Sequence, residues 1–130
     1  MKLEKQVCSL EYAKKLKELG VNQDSLYFYT KVGKSVKSWD EWMEIGENVI
    51  LSELYSAFTV AELGEMLPEK VKTKCFGEKS FIIFREKYAE SWDIAYSTDT
   101  SDDDKLWKQA ETEADARAKM LISLLENKLI

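Results

Sequence analysis

The residues of this chain that bear chemistry are carboxylates, lysines and aromatics, and histidine is absent altogether. That absence removes the commonest general base and metal ligand, along with any Ser-His-Asp or Cys-His arrangement. The aspartates Asp99, Asp102, Asp103 and Asp104 invite a cation reading. A calcium loop needs a glycine at its sharp turn and a bidentate glutamate at its end, and this run has neither. The plainer reading is a solvated loop whose charges favour the N-terminus of the next helix. Asp40, with Glu41 or Glu44, stands beside Trp39 and Trp42, much as acids stand beside aromatic platforms in sugar-cleaving sites. A catalytic pair, however, needs a cleft holding two acids about 5 to 10 Å apart, and tryptophans at this spacing are more often core or interface anchors. Cys75, in KTKCFGEK, has Lys72, Lys74 and Lys79 nearby to depress its pKa but no base partner. Cys8 reads as a small apolar residue at a helix entrance. No catalytic residue, cofactor-binding residue or metal ligand is expected.

The lysines are unevenly placed. Residues Ser25 to Ser38 hold Lys31, Lys34 and Lys37 with no acid, alongside Tyr27, Phe28 and Tyr29. Aromatics stack on bases while lysines pair with phosphates, so Tyr27, Tyr29, Lys31, Lys34 and Lys37 are the candidate contacts of a weak single-stranded nucleic-acid module. A basic edge strand that resists edge-to-edge pairing accounts for the same pattern. The net charge of -5 and a pI near 4.9 argue against a general polyanion binder.

Positioning any of these groups requires a fold, and the composition supplies one. The chain has 130 residues, 45% of them hydrophobic and 12% aromatic, with 1 Pro and 5 Gly. One domain spanning residues 1–130, with most of its length in regular elements, is the expectation. Two cysteines cannot make a multi-bridge framework, the charged N-terminus has no apolar h-region, and no stretch is long enough to span a membrane. A reducing cytoplasm is the expected compartment.

Ser9 is placed to cap a helix from Leu10 to Leu19, with Leu10, Ala13, Leu16 and Leu19 on one face and Gly20 ending it. SLYFYTKV predicts a strand. SVKSWDEWMEI reads as a second strand or as a loop ending in a short helix near Asp40, and Gly46 to Ser56 carries no readable pattern. Thr59 and Glu62 make a capping box, Phe58 and Leu63 a hydrophobic staple, and Pro68 closes a short central helix. SFIIFREKYAESWDIAYST predicts an antiparallel hairpin, with Trp92, Ile94 and Tyr96 on one face and Asp93 on the other. The polar STDTSDDDK precedes a final helix that starts near Asp103 or, more firmly, at Thr112 with Asp115 as box partner.

In that last helix, Ala114, Ala118, Leu121, Ile122, Leu125 and Leu129 fall on one arc at about 100° per residue. Asp115, Lys119, Ser123 and Glu126 lie opposite and should be wet. Met120 and Leu124 form a separate apolar flank, which is either the margin of a deeply buried helix or a partner surface. The fold class is therefore α+β: an antiparallel sheet of about three to five strands, packed by the N- and C-terminal helices, with the short central helix at one edge.

Three stretches, SLEYAKKLKELGVNQDSLYFY, AFTVAELGEMLPE and EADARAKMLISLLENKLI, resemble a family of small proteins of phages, prophages and mobile elements of Bacteroides-type gut bacteria. The matching residues are Ala13 to Val21, Glu62 to Pro68 and Ala114 to Asn127. The resemblance implies one intact domain of mobile-element origin but carries over no activity and no site residue. It sets an aromatic where this chain has Ser123, so packing should thin there. The functional expectation is a non-enzymatic cytoplasmic accessory protein that binds a protein partner, with a homodimer as one form of that contact. A single-stranded nucleic-acid binder is the alternative, and a carboxylate-based hydrolase a third reading.

Overall fold

The structure, a computed structural model, describes residues 2–30, 35–45, 53–73, 77–85, 90–97 and 106–130. Lys31, Lys34, Cys75, the aspartates at 99 and 102–104, and residues 46–52 of the unreadable segment lie outside that set.

Among the described residues, five helices and seven strands follow in the order α1 (Leu3–Gln6), α2 (Leu10–Glu18), β1 (Tyr27–Tyr29), β2 (Lys37–Ser38), α3 (Trp39–Ile45), β3 (Tyr55–Ser56), α4 (Val60–Met66), β4 (Lys70–Thr73), β5 (Gly77–Arg85), β6 (Trp92–Ser97), β7 (Trp107–Ala110) and α5 (Glu113–Glu126). The α+β expectation holds, with the strands divided between two antiparallel sheets. One has the order β2-β1-β3, and the other is a β4-β5-β6-β7 meander. In the meander's central hairpin, Phe81 pairs with Tyr96 and Ile83 with Ile94, as the alternation predicts.

Sequence signals at the helix ends translate into local bonds. After α2, Gly20 takes φ +85°; its N–H bonds to Lys17 O at 3.0 Å, and Val21 N–H reaches Leu16 O at 3.1 Å. These two bonds are the Schellman pattern, which only a left-handed residue closes without strain. At α4, Thr59 Oγ1 accepts from Glu62 N–H at 3.2 Å and Glu62 Oε1 from Thr59 N–H at 3.0 Å, so the capping box is complete. Phe58 and Leu63, the staple pair, are both buried.

The same Schellman closure ends α5, with Lys128 N–H on Leu125 O at 3.2 Å and Leu129 N–H on Leu124 O at 2.9 Å. Here the left-handed position holds a lysine at φ 53°. A Cβ in that region is disfavoured, whereas glycine adopts it freely. Lys128→Gly is expected to raise stability by about 0.5–1 kcal/mol, seen as a higher Tm at an unchanged fold. A lower Tm would contradict the strain argument.

The N-terminal cap differs from expectation. Ser9 is the N-cap of α2, but its side chain makes no cap bond. Its backbone N–H instead donates to Asp115 Oδ1 at 2.7 Å, across the N-terminus of α5. Thr112 Oγ1 still accepts from Asp115 N–H at 3.2 Å, so the α5 box is half made: the carboxylate is drawn to α2 instead. Burial lifts the Asp115 pKa above its ordinary 3.8, against the opposing pull of the Ser9 amide. An acid with a raised folded-state pKa contributes most below its unfolded-state value, and that contribution fades as pH climbs through the raised pKa. Asp115→Asn keeps an oxygen for the Ser9 N–H. It should be at least as stable as the parent at neutral pH and should flatten the profile of Tm against pH just above 3.8. A variant markedly less stable at neutral pH would show that the charge itself holds the two helices.

The core explains the remaining departures. Helix α5 packs on β6 and β7 and also against α4, α2 and α1. Burial therefore wraps most of its circumference: Ala114, Ala116, Ala118, Met120, Leu121 and Leu124 are all buried. Ser123, expected to be wet, is buried too, and Asp115 and Lys119 are partly covered. Ile122 sits beside them, only partly covered, and Ser123 lines a groove of about 550 Å³ with Tyr12 and Trp107. The single-arc reading fails because a helix between two layers has no single buried face.

Candidate functional site

Of the site candidates from the sequence, Met120, Leu124, Tyr27, Tyr29 and Lys37 are among the described residues, and Lys31 and Lys34 are not. Met120 and Leu124 are both 0% exposed and belong to the main core cluster. The flank they form is internal, so neither residue presents a partner surface.

The aromatic strand is likewise enclosed. Tyr29 is 5% exposed, and its hydroxyl donates to the Cys8 carbonyl at 2.8 Å. Burial raises its pKa, fixing it as a neutral donor. Tyr27 packs, partly buried, against the same cluster. On the opposite face of β1, Phe28 packs with Trp42 and Leu54, and Trp42 Nε1 donates to Phe28 O at 3.0 Å. With β1 covered on both faces, Tyr29 offers no ring for a base to stack on. Lys37 lies 5.0 Å from the Trp42 ring centroid, a cation–π contact between β2 and α3.

The acids beside the tryptophans are also structural. Ser38 and Glu41 cap α3: Glu41 Oε1 accepts from Ser38 N–H at 3.2 Å and from its hydroxyl at 3.0 Å. Asp40 and Glu44 are exposed on the helix surface. Cys8 is fully buried, and burial pushes its thiol up to about 12, which suppresses the nucleophilic thiolate. Among the described residues, no group of three or more potential metal ligands converges. No helix among them is long and apolar enough to cross a membrane.

The sheet face turned away from α5 is the region that the sequence did not single out. Opposite residues in an antiparallel pair share a face. The register pairs Asp93 with Gln109 and Ala95 with Trp107. Ile94 and Tyr96, which alternate with these, belong to the main core, whereas Ala95 and Trp107 belong to neither core cluster. Trp107, on the edge strand β7, is 44% exposed. Asp93 is only 3% exposed, and its Oδ1 is buried without a hydrogen-bond partner among the described residues. Gln109, which pairs with Asp93 across the strands, donates from Nε2 to Ser91 Oγ at 2.9 Å. A buried acceptor without a donor costs about 1–3 kcal/mol, a penalty that an added donor removes.

The alternation in SWDIAYS does put Asp93 on this face. Trp107 had no comparable signal, because WKQA lacks β-branched residues and becomes a strand only by pairing with β6. Comparison with known proteins gives no matching family model, no matching curated protein and no matching solved structure.

Proposed function

We propose that the chain is a non-catalytic accessory protein, of phage or mobile-element origin, that acts through a protein–protein contact. The observation that carries this reading is the half-exposed Trp107 on the edge strand β7, which pairs with β6, the strand that holds the buried Asp93 and its unpartnered Oδ1. Tryptophan is enriched among residues that dominate interface energetics, and such anchors sit in patches where polar groups become paired on binding. β7 is an edge strand of the described sheet, a position that suits docking beside a strand. The mobile-element origin rests on the resemblance of the helix and cap signals. The burial of Tyr29, one of the two candidate stacking residues, weighs against the nucleic-acid alternative.

The test compares a tagged chain with its Trp107→Glu variant in quantitative co-purification, with Tm measured for both. A partner retained by the parent and lost by the folded variant supports the contact. Identical sets of co-purified proteins from both chains would sink it.

A further inference from the structure

A second region, remote from the outer sheet face, combines a cavity with a cation whose donors are only partly used. Between α4, the turn after it, β5 and α5 lies a hollow of about 390 Å³, within the size range of small-ligand sites. Its walls include Gly64, Leu67, Pro68, Lys70, Phe81 and Arg117. Arg117 and Glu113 are one turn apart on α5. Nε and Nη2 of the guanidinium both donate to Glu113 Oε1, at 3.1 and 2.9 Å. This pairing fixes the plane of the fork by one edge. The guanidinium carbon stands 5.5 Å from the Phe81 ring centroid, and that ring is held in turn edge-on to Tyr96, with centroids 5.4 Å apart.

Gly64 completes the arrangement. A Cβ built on it would lie 2.8 Å from Arg117 Nη1, so the missing side chain is what admits the second edge of the fork. A guanidinium carries five N–H donors, and Glu113 takes two. The Nη1 donors have no partner among the described residues, although the Arg117 side chain is only 16% exposed. A half-desolvated planar fork with an open edge, beside a ring and an apolar wall, selects a planar anion on an apolar body. Pro68 fixes that wall, since its carbonyl accepts from the buried Tyr96 hydroxyl. Glu69 also lines the hollow, but it is exposed and sits next to Lys70, so solvent and that neighbouring charge screen it.

We propose that this hollow binds a carboxylate carried on a compact apolar body, with the Arg117 guanidinium holding the anion and Phe81, Leu67 and Pro68 holding the body. Such a carboxylate has two sources, a free organic acid or the C-terminus of a peptide chain. The competing account makes Arg117 a structural partner of Glu113 alone.

Amide shifts of the full chain, followed during titration, separate these accounts. Phenylacetate probes the free acid and an acetylated Gly-Phe dipeptide probes the chain end, each beside its neutral amide of the same shape. Saturable shifts at Gly64 and Phe81 are expected with at least one acid, with a Kd in about the millimolar range and at least roughly tenfold weaker binding of its amide. The tighter of the two acids identifies the source. Gly64→Ala, which favours the helix but crowds Nη1, should weaken that binding at least roughly tenfold without lowering Tm. Arg117→Lys, which keeps the charge but loses the fork, should weaken it too. Equal binding of acid and amide, undiminished binding by Gly64→Ala, or no saturable shift with either acid up to roughly 50 mM would overturn the proposal.

Discussion

Replacing Leu124 by alanine should destabilise the protein by about 2–5 kcal/mol, a large share of the stability available to a domain of this size. Leu124 is 0% exposed and lies in the last turn of α5. Its carbonyl also receives the Leu129 N–H that closes the C-terminal cap. Truncation leaves a cavity that cannot collapse easily, because α5 is held between the sheet and the helices on its other side. Chemical denaturation should show a lower midpoint at an unchanged slope, the mark of lost stability in an intact native state. Leu124→Asp places an unpaired charge in the same space and should abolish folding. A Leu124→Ala protein within about 0.5 kcal/mol of the parent, as exposed sites usually behave, would place this leucine on the surface after all.

The second large effect is expected at Phe58, where alanine should cost about 3–5 kcal/mol. Phe58 is 1% exposed and stands one residue before the Thr59 cap of α4. Its ring supplies the staple that sets how the chain enters the helix. Its carbonyl accepts the Cys8 N–H at 2.9 Å, tying α4 to the segment between α1 and α2. Alanine keeps that backbone bond and the capping box but empties the core volume the ring fills. Thr59→Ala removes only the cap hydroxyl and should cost about 1 kcal/mol. Comparing the two by thermal and denaturant unfolding separates packing from capping. Equal losses at the two positions would mean that the ring adds nothing beyond the cap.

The legible parts of the fold are those whose cause is local. Gly20 needs only its own backbone freedom, the Thr59–Glu62 box spans a single turn, and the β5–β6 hairpin follows from alternation. Strands β3, β4 and β7 are two to four residues long and acquire their state from a neighbour, so WKQA has no strand signature of its own. Asp115 shows a local rule outcompeted: the box its spacing predicts is half made because Ser9, far away in sequence, presents a donor to the carboxylate. The burial of Met120, Leu124 and Tyr29 was not legible for a related reason. Periodicity tells which residues share a face of α5 or β1, but not that both faces are covered. Asp93 could be assigned a face, but its lack of a donor emerges only from packing. The cavity at Arg117 depends on Gly64, which in sequence is merely a weak point in the ELGEML helix.

The bond between Ser9 and Asp115 joins positions 106 residues apart, and α5 is the element on which α1, α2 and α4 all pack. Helices α1, α2 and α4 are made before α5 during synthesis, so they must wait for the element on which they pack. Until α5 is available, Leu16, Leu63 and Phe58 have no complete core to enter and remain open to misassociation. Contacts that close so long a loop slow the search for the native state, so folding should be late and close to all-or-none. A nascent chain lacking α5 is therefore a natural client for a chaperone, and loss of the final helix would be felt first as poor yield.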